Sequence, residues 1–307
     1  MKTLSLSSYS ETYFDQADVP RDICLHEITA IDCALPKRPR VSHKYSYGRA
    51  LILAGARGYT GAPTLAANAC ERSGAGLTQL MVPESIYPIA ASRCDGAVVL
   101  PLPAAEDGGF AARAAAQAEE ALSKASAVLI GPGLGSGAEA QAVVKTVLQK
   151  AVCPLIVDAD GLRVFADEPA LLDACRVPLI LTPHEGEFRR LGGDLTRGRL
   201  TGALRFTAEH PELILILKGY GTLICRGDGI TVNPSGGPAM AKGGSGDVLG
   251  GVLCALLAQG FEPLFAARTA VYLHGLAGDL AAQELGEYAL APSDLIRYLP
   301  QAFRTIS

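Results

Sequence analysis

With 307 residues, 49% of them apolar and 19% charged, the chain is long and apolar enough for a packed core and is not a disordered sequence. A formal charge of −4 and a pI near 5.8 leave no electrostatic footprint for nucleic acid or an anionic membrane surface. The eight cysteines are scattered, with no C-x-x-C pair and no cysteine–histidine cluster at zinc spacing, so they read as small buried hydrophobes of a reducing cytosol.

The N-terminus lacks the apolar centre of a signal peptide, and no run approaches the roughly 18 apolar residues that span a membrane. A cytoplasmic protein is the expectation. Residues 1–42 are mixed and turn-rich, with Pro20, Pro36 and Pro39 and the basic cluster Lys37-Arg38-Pro39-Arg40, and they predict an arm with one short helix over Glu27–Leu35. From residue 43 to the end a single domain is expected.

The pattern becomes regular at Arg49. Apolar bursts at 49–55, 77–82, 97–101, 127–131, 154–158, 178–182 and 213–218 alternate with helical stretches at 62–73, 84–93, 110–124, 137–150, 160–166, 185–191 and 197–209. Near-continuous apolar strands separated by helices predict a mainly parallel sheet covered on both faces, an α/β three-layer sandwich. The segments 221–226 and 230–233, around Gly227-Asp228-Gly229, predict an antiparallel hairpin at the sheet's edge. Helices over 247–259, 264–285 and 293–303 close the chain.

In such sheets ligands bind beyond the carboxyl ends of the strands. The glycine-rich and polar turns 54–62, 131–137, 158–161, 182–187 and 218–222 all follow strands and so share one rim. The segment around Gly243, Gly244, Ser245 and Gly246 precedes Asp247 and an apolar helix. It is a nest of backbone N–H groups at a helix N-terminus, suited to a phosphate. Asp247 has two possible roles there: it can cap the helix, or it can take a proton from a substrate hydroxyl. Neither a G-x-x-x-x-G-K-[ST] loop nor a dinucleotide fingerprint occurs, which disfavours a Rossmann oxidoreductase.

The blocks H-K-x-x-Y-G-R (43–49), A-G-x-x-G-x-T-G-A (54–62), R-S-G-A-G-L (72–77), I-G-P-G-L-G (130–135), D-A-D-G-L (158–162), L-T-P-H-E-G-E-F-R-R-L (181–191), L-K-G-x-x-T-L-I (217–224), N-P-S-G (233–236), G-G-S-G-D-V-L (243–249) and V-Y-L-H-G-L-A-G-D (271–279) follow one another in order. Together they resemble the ADP/ATP-dependent NAD(P)H-hydrate dehydratases of the ribokinase-like superfamily, from about Ser42 onward. Departures are small: Tyr45 stands where the family usually has Gly, Gly237 where it has Asn, and Ser245 where it has Thr.

The resemblance implies repair of NADH or NADPH that has added water across the nicotinamide 5,6 double bond, with ADP or ATP as co-substrate. It implies Asp247 as catalytic base and substrate contact, and Ala62, Gly133 and His184 as further contacts to the hydrated dinucleotide. It implies nucleotide contacts at Lys218, Gly219, Tyr220, Gly221 and Thr222 and at Gly244, Ser245 and Gly246. For His184 a hydrogen-bonded structural role stands as the alternative. Mg²⁺ is expected as cofactor, and Asp158, Asp160 and Glu187 offer hard oxygen ligands for it, although acidic residues at strand ends also serve as helix caps. His274 receives no chemical role. A homotetramer and a separate epimerase partner are further implications. A ribokinase-like kinase for a small vitamin alcohol and a nucleotide-binding regulator without turnover are the competing readings.

Overall fold

The computed structural model describes residues 1–15, 17–18 and 25–307; Pro20 and Cys24 lie outside them. The strands are β1 (Lys2–Leu4), β2 (Leu25–Glu27), β3 (Arg49–Leu53), β4 (Leu77–Pro83), β5 (Val98–Leu102), β6 (Ala127–Ile130), β7 (Leu155–Val157), β8 (Leu179–Leu181), β9 (Ile214–Leu217), β10 (Leu223–Arg226) and β11 (Gly229–Val232). They form one sheet in the order β1-β2-β11-β10-β9-β8-β7-β6-β3-β4-β5. The run from β9 to β5 is parallel throughout.

Because side chains alternate across a strand, each central strand feeds both faces. Ala50 and Ile52 of β3 join one core with Leu129, Ile156, Ile180 and Ile216, while Leu51 and Leu53 join the other with Val128, Ile130, Leu155 and Leu181. The helices α1 (Leu6–Tyr13), α4 (Ala114–Lys124), α5 (Ala138–Lys150), α6 (Arg163–Asp167), α7 (Leu171–Ala174), α8 (Glu185–Arg190) and α9 (Arg199–Glu209) line the second core. The first is covered by α2 (Gly61–Arg72), α3 (Tyr87–Arg93), α10 (Ser245–Ala258), α11 (Pro263–Leu285) and α12 (Pro292–Arg304). Helix α10 is buried along nearly its whole length, which accounts for its unbroken apolar sequence.

Two expectations need correcting. The hairpin of β10 and β11 is antiparallel but does not form the edge: β2 pairs parallel with β11, and β1 lies outside β2. The helix expected over 27–35 is instead the end of a strand followed by a single 3-10 turn, Ala30–Cys33. Asp32 fixes that turn by accepting from the Thr29 N–H and hydroxyl at 2.9 and 2.6 Å. The segment read as an arm thus supplies two strands to the main sheet.

Candidate active site

Strands β9, β8, β7, β6 and β3 are consecutive neighbours, so the turns after them stand side by side on one rim. Backbone and side chain stitch them together. Gly55 N donates to Pro132 O at 2.8 Å, joining the turn after β3 to the turn after β6 at 131–137. Gly135 N donates to Asp160 Oδ2 at 2.9 Å, and Lys218 N to Pro183 O at 2.8 Å. Lys218 Nζ crosses to Asp158 Oδ1 at 2.9 Å and lies 3.8 Å from Glu187 Oε2. Ala159, between the two aspartates, holds a left-handed backbone at φ 51°, a strained conformation of the kind that clusters at functional sites.

Over this rim stands the start of α10. Gly244, with φ 102°, makes the bend into the helix, and Ser245 Oγ donates to Met240 O at 2.8 Å. Gly246 and Asp247 fall in the first turn, whose N–H groups have no acceptor within the helix and point outward. A methyl placed on Gly246 would stand 3.4 Å from Lys218 Nζ and 4.0 Å from Asp158 Oδ2. The glycine-rich loop, lysine and aspartate therefore share one small space. Beside it opens a cavity of about 470 Å³, whose lining includes Lys218, Tyr220, Thr222, Asn233, Gly246 and His274.

Asp247 does not cap the helix. Among the described residues its carboxylate takes no hydrogen bond from the first turn, and the N-cap Gly244 has no side chain to offer. Burial pushes the Asp247 carboxyl up to about 7, and the negative charge of Asp158 adds to the rise. Lys218 opposes it, and Asp160 contributes further upward. A carboxylate balanced near neutrality is what proton abstraction at cellular pH requires. Burial alone would lower the Lys218 ammonium, but Asp158 and Glu187 outweigh it and hold the lysine above its ordinary value.

His184 takes the structural role that stood as the alternative for it. As N-cap of α8, its Nδ1 accepts from Gly186 N at 2.9 Å and Glu187 N at 3.3 Å, while Glu187 Oε2 accepts from His184 N at 2.8 Å. Nε2 lies 3.6 Å from Glu187 Oε1, and the side chain is 56% exposed. His184→Asn tests the division: Asn also caps helices well, so the melting temperature should stay within about 2 °C. If His184 also contacts the dinucleotide that the resemblance implies, the KM for that dinucleotide should meanwhile rise by about tenfold through loss of one hydrogen bond. A melting-temperature fall with unchanged KM would make His184 purely structural.

Gly133 (φ 60°) is set against the first turn: a Cβ there would meet Tyr59 Cβ at 2.8 Å and Ala62 Cβ at 3.0 Å. Ala62 and Gly133 are therefore neighbours, on the side of the groove formed by the β3 and β6 turns, while Lys218, Gly219, Tyr220, Thr222, Ser245 and Gly246 line the cavity and Gly221 and Gly244 do not. Thr222 Oγ1 donates to Gly219 O at 2.9 Å and closes the 218–222 turn.

The Mg²⁺ expectation needs narrowing. Among the described residues no three His, Cys, Asp or Glu side chains gather closely enough to hold a metal ion. Asp160 accepts from Gly135 N and Glu187 from His184 N, and among the described residues Asp158, Asp160 and Glu187 do not form a direct three-ligand cluster. His274, given no role from sequence, lines the cavity. Burial depresses its imidazole to about 4, a hydrogen bond with the Ser245 backbone opposing and Lys218 reinforcing the shift, so it is neutral at physiological pH. The Asn233–Gly236 block is pinned to α11: Ser235 Oγ donates to Tyr272 O, and Asp279 Oδ2 accepts from Gly236 N, both at 2.9 Å.

A mainly parallel sheet with helices on both faces and a glycine-rich helix N-terminus beside a buried aspartate define a protein of ribokinase-like fold with a candidate anion site. Known proteins narrow this further. A family model described as NAD(P)H-hydrate dehydratase matches residues 50–301. The ADP-dependent (S)-NAD(P)H-hydrate dehydratase of Listeria monocytogenes is 34% identical, over 90% of this chain and 95% of that protein. The ADP/ATP-dependent NAD(P)H-hydrate dehydratase of Bacillus subtilis, crystallised with ATP and Mg²⁺, superposes with a TM-score of 0.79 at 33% identity, over 92% of this chain and 99% of that one. The bifunctional NAD(P)H-hydrate repair enzyme of Moorella thermoacetica is 38% identical over 91% of this chain, which spans 54% of that protein's length. The chain belongs to the NAD(P)H-hydrate dehydratase family, and it spans about half the length of the bifunctional relatives it matches.

Proposed function

We propose that the protein dehydrates hydrated NADH and NADPH at the expense of ADP or ATP. The observation that carries the reading is Asp247: uncapped, raised to about 7, and standing at an open helix N-terminus beside Lys218 and Asp158. Asp247 takes the proton of the substrate's 6-hydroxyl as that oxygen attacks the terminal phosphorus of the nucleotide, leaving AMP from ADP or ADP from ATP. The first-turn N–H groups of α10 and the Lys218 ammonium meet the charge on the transferred phosphoryl group. Phosphate then departs with the electrons of the C6–O bond, driven by the ring nitrogen lone pair, and loss of the C5 proton restores the double bond. A hydroxyl is a poor leaving group and a phosphate a good one, so a kinase-type loop here serves an elimination.

Ala62, Gly133 and His184 are assigned to the hydrated dinucleotide, and Lys218–Thr222 with Gly244–Gly246 to the nucleotide. When bound, Mg²⁺ would neutralise and orient the nucleotide phosphates. Asp158 is the residue to hold it, since its Oδ2 is directed at the phosphate loop and one carboxylate plus substrate phosphates is an ordinary Mg²⁺ donor set. A tetrameric assembly, a separate epimerase acting alongside and a cytoplasmic setting complete the proposal; the unpaired state of the seven described cysteines supports a reducing compartment.

The test is to mix the purified protein with hydrated NADH and ADP or ATP, following return of the reduced nicotinamide absorbance together with phosphate release. Absorbance should recover with one phosphate released per dinucleotide. No recovery with either nucleotide sinks the dehydratase reading, and light scattering on the eluted peak checks the tetramer.

A further inference from the structure

The nucleotide turn at 218–222 does not stand alone. One side of it rests on Tyr13, the last residue of α1. A Cβ on Gly221 would lie 2.3 Å from a Tyr13 ring carbon, so only glycine lets the turn settle on the ring. The Tyr220 ring packs on the same aromatic with centroids 5.5 Å apart. Tyr13 is 6% exposed, and its hydroxyl donates to Glu27 Oε2 at 3.1 Å, which ties it to β2.

A second hold comes through Asp15, also 6% exposed. Its two oxygens accept from the first N–H groups of α9, Arg199 N at 2.8 Å and Leu200 N at 2.9 Å, and from Tyr9 Oη at 2.7 Å. This fixes Arg199, whose guanidinium donates to Leu217 O at 3.2 Å and to Tyr220 O at 2.5 Å. The turn is thereby gripped from two directions by residues that precede the family match at residue 50.

We propose that Tyr13 and Asp15 are positioning residues for the nucleotide co-substrate: together they preset the Lys218–Thr222 turn in its binding shape. The inference rests on the nucleotide role given to that turn above. A turn already ordered loses less entropy when ligand arrives, so releasing it weakens nucleotide binding without touching the chemistry at Asp247.

Isothermal titration calorimetry of the full chain with ADP and with ATP reads this directly and needs no turnover, so failure of the dehydratase reading leaves the result interpretable. Tyr13→Ala should weaken nucleotide binding by about tenfold, and Asp15→Asn, which keeps one acceptor oxygen, by about threefold. Tyr13→Phe keeps the ring and should stay within about twofold of wild type. In the steady-state assay the nucleotide KM should rise in Tyr13→Ala while kcat and the KM for hydrated NADH stay put. Should Tyr13→Ala fail to fold, Tyr13→Leu keeps apolar volume without the flat ring and takes its place. Nucleotide affinity unchanged in the folded Tyr13 and Asp15 variants overturns the proposal. Equal losses for both substrates overturn it too, since a merely structural role would give that.

Discussion

Asp247→Asn should lower kcat by about 10²–10⁴, the range that a positioned general base contributes, while ADP and ATP bind within about threefold of wild type. The substitution keeps the shape and removes only the capacity to hold the hydroxyl proton. Because the carboxylate takes no hydrogen bond from the first turn of α10, its loss leaves no helix N–H newly unpaired. The stability readout distinguishes this from damage to the fold. A carboxyl raised from its ordinary value to about 7 contributes stability that is fully present below its unfolded pKa and is lost as pH rises through about 7. Asp247→Asn should abolish that part of the pH dependence, so its melting temperature should match or exceed that of wild type at pH 8. Turnover within tenfold of wild type, in a folded variant, would remove Asp247 from the role of base.

Much of the groove was legible in the sequence, for a specific reason. Strands such as Ala127–Ile130 and Ile214–Leu217 are wholly buried, so they appear as apolar runs, and the glycine-rich turns after them cannot be mistaken for helix or strand. Once β3, β6, β7, β8 and β9 are neighbours, the turns meet without further instruction. The edge of the sheet was not legible. Lys2–Leu4 and Leu25–Glu27 are three residues each, too short to display a period, and their strand character comes from pairing with one another and with β11. Likewise, nothing near Tyr13 or Asp15 in sequence announces Gly221 or Arg199. Those contacts span about 180 to 210 residues and exist only because β2 lies beside β11.

The role of Asp247 was also undecided in sequence, since a Gly-Asp pair at a helix start serves equally as a cap. What supports the reading as a base is a set of charges brought from other strands: Asp158 from the end of β7, Lys218 from the end of β9. His184 shows the opposite outcome. There capping occupies Nδ1, while Nε2 lies 3.6 Å from Glu187 Oε1 on a side chain that is 56% exposed, so the cap does not exclude a ligand contact.

The Lys218–Asp158 pair should set the pH at which the enzyme works, and the two halves of the pair should move it in opposite directions. Lys218 lowers the Asp247 carboxyl and Asp158 raises it. Wild-type kcat should therefore rise with pH, with its half-maximum near 7, as the base ionises. Lys218→Met withdraws the stabilising cation and should shift the half-maximum upward by on the order of one pH unit. It also strands Asp158, only 2% exposed, without its partner, at a cost of roughly 1–3 kcal/mol in stability. The rate at pH 7 should fall by about 10²–10³, since the variant loses both the correct protonation state and a cation facing the phosphoryl group. Asp158→Asn removes a negative charge while leaving an oxygen for Lys218, so the half-maximum should shift below 7, whatever happens to its maximal rate. Full pH–rate profiles at saturating nucleotide and Mg²⁺ read the two shifts separately from the height of the curve. If both variants move the midpoint in the same direction, or neither moves it, the group that titrates in catalysis is not Asp247.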